Sequence, residues 1–433
     1  MADEALSPQS LLAAQWTEPG DIFSVLLILG GDVIQLACAA MAGGPGLLPT
    51  PVAFSFGWVA YAMSAVLSAI GENRLLRCAP EVDVKVTNLA TGYGRSNRSW
   101  LLSRFVKTYP FWMPKGVRTR IKAFSPPPAK PSYAQKRPGV GILPVSAEGG
   151  AAALASAAAT QDHVALCVAV YQWKSDPRPG HPVRDWVWWS GYVASAVQLG
   201  VAAVPFGLHR DWTIFMATAI GTALAYASAS LPQWRREKWH SREARNKPVA
   251  LTLGNGSEHV IIIEGSEAGY DLEALAGGPR TWHSAHTVLW TSLLAVLWLA
   301  LLVSCTGIKA NTWYLLAVGG LGMLQNIVVA AAPRTPEAIG LPIQLVTHSE
   351  GPDSPGEVFA EPKVMWALME LESRHPRFGK FLKDDFFPGE LRPWEKKWWD
   401  SEDRDERARL LAAARQKRQK EREDKTRGAA SAV

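Results

Sequence analysis

Six apolar stretches interrupt an otherwise charged chain: Ile22–Ala42, Pro51–Ile70, Val187–Leu208, Trp212–Ser230, His286–Cys305 and Thr312–Ala332. An α-helix needs about 20 apolar residues to cross ~30 Å of hydrocarbon. In lipid the backbone has to satisfy its own hydrogen bonds, so such stretches are expected to be helices. Trp212–Ser230, rich in Ala, Ser and Thr, carries the weakest signal. Short turns at Gly43–Thr50, His209–Asp211 and Thr306–Asn311 join the stretches in pairs, and long polar segments separate the pairs. The pattern predicts a mainly α fold: a polytopic membrane bundle of six transmembrane helices as three hairpins, with a small β-containing region and a C-terminal helical tail. The expected organisation is an N-terminal segment (1–21), hairpin 1 (22–70), a loop with strands and a Pro-rich linker (71–186), hairpin 2 (187–230), a loop with a β-hairpin (231–285), hairpin 3 (286–332) and a C-terminal tail (333–433).

The polar segments have patterns of their own. Val82–Asn88 and Val164–Trp173 read as strands, and Asn97–Tyr109 as an amphipathic helix with Trp100, Leu101, Phe105 and Val106 on one side. From Ser125 to about Gly141 the chain is Pro-rich and basic, a composition that does not fold alone. Val249–Leu253 and His259–Glu264 flank Asn255-Gly256, the signature of a hairpin. Strands from both loops are expected to join one sheet. Beyond 333, Pro342–Thr347 reads as a strand, and Lys363–Ser373 and Asp403–Glu423 as helices. Phe386, Phe387, Trp394, Trp398 and Trp399 form an aromatic patch among charges, for which a place on lipid headgroups and a place on the sheet are both open.

Charge then sets an orientation. Of 45 Lys and Arg residues, 17 fall in 71–186, 7 in 231–285 and 19 in 333–433; Arg210 and Lys309 lie in short turns. An even number of spans puts the three basic segments on one side, which the positive-inside rule makes cytosolic, together with both termini. The host membrane is unassigned. The mean hydropathy of −0.01 averages over these two kinds of segment. Many of the 19 Trp residues stand at run ends, among them Trp186, Trp188, Trp189, Trp212, Trp234, Trp282 and Trp313, as an interfacial belt would. Cys38, Cys78, Cys167 and Cys305 lack metal or redox spacing and read as free thiols. Asp3, Glu4, Glu18 and Asp21 precede the first run without any Lys or Arg, which favours a retained anchor over a cleaved signal peptide. The sequons at Asn97 and Asn255 fall in cytosolic segments and are expected to carry no glycan.

Asp21-Ile-Phe, Gly30-Gly31-Asp32, Gln35-Leu36, Gly71-Glu72-Asn73-Arg74, Phe386-Phe387-Pro388-Gly389 and Trp398-Trp399 together resemble multi-spanning integral membrane proteins of filamentous fungi, over most of the chain. That family has no assigned activity, so the resemblance implies a membrane protein and no catalytic residues.

The sharpest candidate for chemistry is Asp32, halfway along the first run, where a charge costs about 3 kcal/mol on insertion scales. Gln35 lies one turn away, and Gln198, Gln325 and Asn326 fall at similar depth, so the five are a candidate intramembrane polar site. The competing reading is a protonated Asp32 that joins helices by hydrogen bonds, since no Lys or Arg lies within any run. Val33-Ile34-Gln35-Leu36 echoes Ala196-Val197-Gln198-Leu199, as two parallel repeats would. Small residues at 217, 221 and 225, and at 60, 64 and 68, suit close helix packing. Glu72-Asn73-Arg74 reads as a helix end, and His283 with His286 as an interfacial pair rather than a metal site. There is no phosphate-binding loop, dinucleotide fingerprint, nucleophile elbow or zinc signature, and no cofactor or metal is expected. Expected partners are the lipid bilayer, a cytosolic protein, and anionic lipid at basic segments such as Arg415–Arg422; nucleic acid is not among them. The function expected is a non-enzymatic membrane scaffold or adaptor. The alternative is a small-solute or ion transporter or channel built around Asp32.

Overall fold

The computed structural model describes residues 30–431 except 45, 47, 124–162, 242–245, 268, 279–283, 309, 348–355 and 388. Residues 1–29, the Pro-rich linker, Trp282 and His283 therefore lie outside the described residues.

The apolar part is a ring of six helices: α1 (Gly31–Met41), α2 (Gly57–Gly71), α6 (Trp186–His209), α7 (Thr213–Ala229), α10 (Ala285–Thr306) and α11 (Thr312–Ala331). Neighbours around the ring are α1–α2–α10–α7–α6–α11 and back to α1. Four helical stretches, Trp186–His209, Thr213–Lys238, Ala285–Thr306 and Thr312–Ala331, are long and apolar enough to cross a membrane. α6 and α7 pack side by side as a hairpin, whereas α10 and α11, though consecutive, are not ring neighbours: α10 lies between α2 and α7, and α11 between α6 and α1, so the expected third hairpin is opened up. The far ends of the two pairs are tied by Asn311 Nδ2 donating to Asp211 Oδ2 at 3.1 Å.

The first pair departs from expectation. Gly30 sits against Gly57 and a Cβ on Gly31 would stand 3.4 Å from the Ala60 Cβ, so the two helices start side by side. Thus α1 and α2 run parallel and form no hairpin. The second apolar run is not one helix either. Pro51–Ser55 runs without helical or strand structure, Phe56 makes the turn, and only from Gly57 is the chain helical. The segment enters from the sheet end, climbs through the middle of the ring, turns at Phe56 and returns as α2. α1 and α6 run in opposite directions, so the echo between Gln35 and Gln198 does not reflect parallel repeats.

The polar part is a seven-stranded sheet of β1 (Lys85–Asn88), β2 (Gly94–Ser96), β3 (Leu166–Trp173), β4 (Val249–Thr252), β5 (His259–Ile263), β6 (Ile343–Leu345) and β7 (Val358–Glu361). The order is β2-β1-β4-β5-β3-β6, with β7 on the same edge of β3 as β6. All pairings are antiparallel except β3 with β5. The expected β4–β5 hairpin is present, with Val249 opposite Ile263. β2 and β7, short and weakly patterned, were not foreseen.

Alternate residues of each strand point to opposite faces. Cys167, Ala169, Tyr171, Leu251 and Ile261 face a layer containing α3 (Trp100–Lys107), α4 (Tyr109–Trp112) and α9 (Leu272–Ala276). Trp100 of α3 also joins the ring's core, so this layer couples sheet and bundle. α5 (Lys115–Lys122) contributes Val117 to it, and α8 (Pro232–Lys238) continues from α7. Leu166, Val168, Val170, Val260 and Ile262 face the C-terminal layer: α12 (Val364–Arg374), α13 (Phe378–Phe386), α14 (Pro393–Asp400) and the start of α15 (Arg404–Ser431). Trp398 is wholly buried there, which places the aromatic patch on the sheet.

Tryptophans at the helix ends divide. Trp186, Trp189, Trp212 and Trp313 are exposed, as a belt requires, whereas Trp188 and Trp234 are buried in the ring's core. All four cysteines are free.

Candidate functional sites

A non-helical segment inside a helical ring leaves backbone carbonyls without helical partners, and leaving each unpaired costs about 1–3 kcal/mol. Side-chain amides supply them. Gln198 Nε2 donates to Phe54 O and Val318 O, both at 2.7 Å, and Asn326 Nδ2 donates to Ala53 O at 3.0 Å. Trp58 Nε1 also reaches Ala53 O at 2.9 Å, and Tyr192 OH reaches Pro49 O at 2.7 Å. Pro51 suits the path because it has no N–H to satisfy. Space comes from glycines: a Cβ at Gly322 or Gly191 would collide with the Phe54 or Pro51 carbonyl, and one at Gly319 with the Phe56 ring. Phe54 and Trp58 flank Trp298 in a stack, with centroids at 6.1 and 5.5 Å.

Of the predicted polar site, the structure gathers Gln198 and Asn326 on this segment and places Gln325 nearby, its Nε2 3.2 Å from Ser190 Oγ. Gln35 instead accepts from Arg77 Nη2 at 2.9 Å, and Asp32 is exposed in the first turn of α1. Arg77 follows the second run, which is why inspection of the runs alone did not pair it with Gln35.

Where ring meets sheet, buried charges cap helix ends. Lys238 Nζ donates to Ala40 O at 3.1 Å, and Arg334 Nη1 to the same carbonyl at 2.8 Å. Arg334 also grips Asp185 through two 2.8 Å bonds, and Asp185 in turn N-caps α6. Arg104 Nη2 donates to Ala330 O at 2.7 Å and Ala332 O at 3.1 Å, closing the end of α11. Glu237 accepts from Leu75 N at 2.9 Å and Leu76 N at 2.6 Å just beyond α2. Cations at helix C-termini complement the macrodipole. The Glu72–Arg74 helix end is likewise held, with Gln233 Nε2 donating to Asn73 O at 3.0 Å.

A wide opening lies elsewhere: a cleft of about 800 Å³ between the start of α12 and helices α14 and α15. Trp366, Trp394, Phe387 and Leu410 give it an apolar lining, and Lys363, Arg392, Lys417 and Arg418 bring positive charge. Lys363 Nζ and the Arg418 guanidinium stand 5.4 and 5.3 Å from the Trp366 ring centroid. Burial first, then Arg418 and Arg392, hold the Lys363 ammonium below its ordinary range. Glu390, Glu395 and Glu421 also line the cleft. Phe387, Trp394, Lys417 and Arg418 each stood out in the sequence; Lys363, Trp366 and Arg392 did not, because they join the others only when α15 folds back over α12. Neither this cleft nor the 580 Å³ groove between α7 and α10 touches Asp32, Gln35, Gln198, Gln325 or Asn326.

No protein-family model matches the chain, and no curated protein or solved structure matches it either.

Proposed function

We propose that this is a multi-pass integral membrane protein that acts as a scaffold, holding a sheet-based platform at the cytosolic surface, and that the platform's cleft takes a partner segment of alternating acidic and apolar residues. Membrane insertion is supported by the ring's outer surface, where Leu289, Val296 and Val303 are 64%, 62% and 70% exposed. Water would penalise such a surface, and lipid would not. The sheet side is cytosolic on this reading, because nearly all basic residues fall in the segments that build it. Anionic lipid at that surface and resemblance to the fungal multi-spanning proteins belong to the same proposal. The observation that carries the scaffold reading is the contrast between the two interiors. Gln198 and Asn326 are committed to the protein's own backbone, while the cleft presents mutually repelling cations over aromatic rings. An anionic occupant relieves that repulsion, and its apolar side chains cover Trp366 and Trp394.

The test is fluorescence anisotropy of a labelled peptide alternating Glu with Leu and Phe, titrated with the detergent-solubilised full chain. Saturable binding that K363E plus R418E abolishes is expected. Absence of binding by the wild type, or equal binding by the double variant, sinks the proposal.

One observation favours the transporter reading. Among the described residues, Gln198 Oε1, Gln325 Oε1 and Asn326 Oδ1 are buried without a donor, as acceptors facing water or a cation would be. Under that reading Gln325→Leu abolishes a proton- or cation-dependent flux into proteoliposomes; under the scaffold reading there is no such flux to lose.

A further inference from the structure

Away from the cleft, at the other end of α12, three residues far apart in sequence converge. Glu264 directly follows β5, and its N–H donates to Tyr171 O at 2.8 Å. Glu357 directly precedes β7, with its N–H bonded to Val346 O at 2.8 Å and its carbonyl accepting from Val170 N at 3.0 Å. His375 is the C-cap of α12, its N–H on Leu371 O at 2.7 Å. Each is thus positioned by hydrogen-bonded backbone, on a different element. One ligand atom from each lies within 4.8 Å of the other two.

Two further observations distinguish this trio from an ordinary surface cluster. The imidazole is fixed: Phe378 stacks on it with 5.2 Å between centroids and 12° between planes, and Phe359 meets it edge-on at 6.2 Å. Its Nε2 is thereby held 2.7 Å from Glu357 Oε2, on a side chain only 6% exposed. The second observation concerns charge. Arg374 approaches the other oxygen, Oε1, at 3.7 Å, from a side chain that is 59% exposed. Glu264 is half-buried beside this group, and among the described residues no donor holds its carboxylate. Two carboxylates this close repel, and a cation between them relieves that repulsion.

We propose that Glu264, Glu357 and His375 form a binding site for a first-row divalent cation of the Zn²⁺ class, which staples the end of α12 to strands β5 and β7. One imidazole nitrogen and two carboxylate oxygens are a donor set suited to such ions. Metal–ligand bonds of about 2.0–2.2 Å separate neighbouring ligand atoms by roughly 3–4 Å, so small side-chain rotations close the set around the ion. Three protein ligands leave a fourth position for water. Stacking by Phe378 does here what an outer-shell hydrogen bond does in many metal sites: it fixes the ring's orientation. The site stabilises the attachment of the C-terminal layer to the sheet and is independent of what occupies the cleft.

The experiment uses the detergent-solubilised full chain, stripped with chelator and titrated with Zn²⁺, and with Co²⁺ for its absorption bands. The wild type is expected to bind one equivalent at this site, to give visible Co²⁺ bands of a His-carboxylate site and to melt at higher temperature with metal. Glu264→Gln and His375→Ala are each expected to weaken binding by more than the ~10–100-fold that loss of an outer-shell partner costs. Should His375→Ala fail to fold, Glu264→Gln decides alone, because its carboxylate has no other partner among the described residues. Absence of stoichiometric binding by the wild type, or binding by Glu264→Gln equal to it, overturns the proposal.

Discussion

Inside the helix ring, Gln198 and Asn326 are wholly buried while Leu289 and Val303 face outward; in the sheet part, Val168 and Ile262 are wholly buried and charged residues such as Arg98 and Arg118 are exposed. The two halves answer different surroundings with opposite arrangements. In the sheet, strands pair with one another, so their backbone needs no side-chain help and both faces are free to be apolar. In the ring, a non-helical segment has no neighbouring strand. Amide side chains take the strand's place as donors, and glycines provide the room. Buried polar residues between helices can therefore report an irregular backbone as readily as a solute site.

This contrast can be broken most severely at the glycines. Gly322→Val forces a side chain into the Phe54 carbonyl, and the ring is expected not to close; the detergent-solubilised protein should lose its monodisperse peak on size exclusion, whereas the outward Leu289→Val should keep it. Next in size is Gln198→Leu, which strands the Phe54 and Val318 carbonyls. A loss of about 1–3 kcal/mol per carbonyl is expected as a lower thermal midpoint. Gln35→Leu, on the far side of α1, should cost less because Arg77 retains Ser64 Oγ at 2.7 Å as a partner. At the cleft, Trp366→Ala should weaken capture of the acidic–apolar peptide about tenfold or more, as loss of a central aromatic anchor does, without altering insertion. The smallest effect concerns pH. Burial raises the Glu81 pKa, but Lys107 and Arg104 outweigh it and hold the carboxyl below its ordinary range. Its contribution is therefore present above the ordinary carboxylate pKa and fades as pH falls through the depressed value. The difference in midpoint between wild type and Glu81→Gln should shrink on acidification.

How much of this was legible in the sequence depended on whether the signal was local. β3, β4, β5 and the helices at α3, α12 and α15 follow from alternation or helical spacing, and the ring's four long helices from unbroken apolar length. The Pro51–Ser55 segment was not readable, because its composition is that of a transmembrane helix. What keeps it out of a helix is the set of donors at 192, 198 and 326 and the glycines at 191, 319 and 322, all distant in sequence. Pro51 at the entrance and Gly57 at the turn were the only local hints. The first hairpin is absent for the same reason: short spacing between two apolar runs does not by itself make their helices antiparallel. Asp32 drew attention by its type, yet the backbone places it at a helix start on the outside of the ring. The cleft and the Glu264–Glu357–His375 trio are products of tertiary folding, assembled from residues up to about a hundred positions apart.

The central claim is that the ring spans a membrane, with the chain entering it at Thr50 from the sheet side. Single cysteines placed in a cysteine-free background at Gly44, Asn255 and His209, reconstituted in sealed vesicles and exposed to a membrane-impermeant maleimide, test it directly. Gly44 and Asn255 should label together from one side, and His209 only from the other. Labelling of Gly44 together with His209, or of all three from one side, would contradict the account.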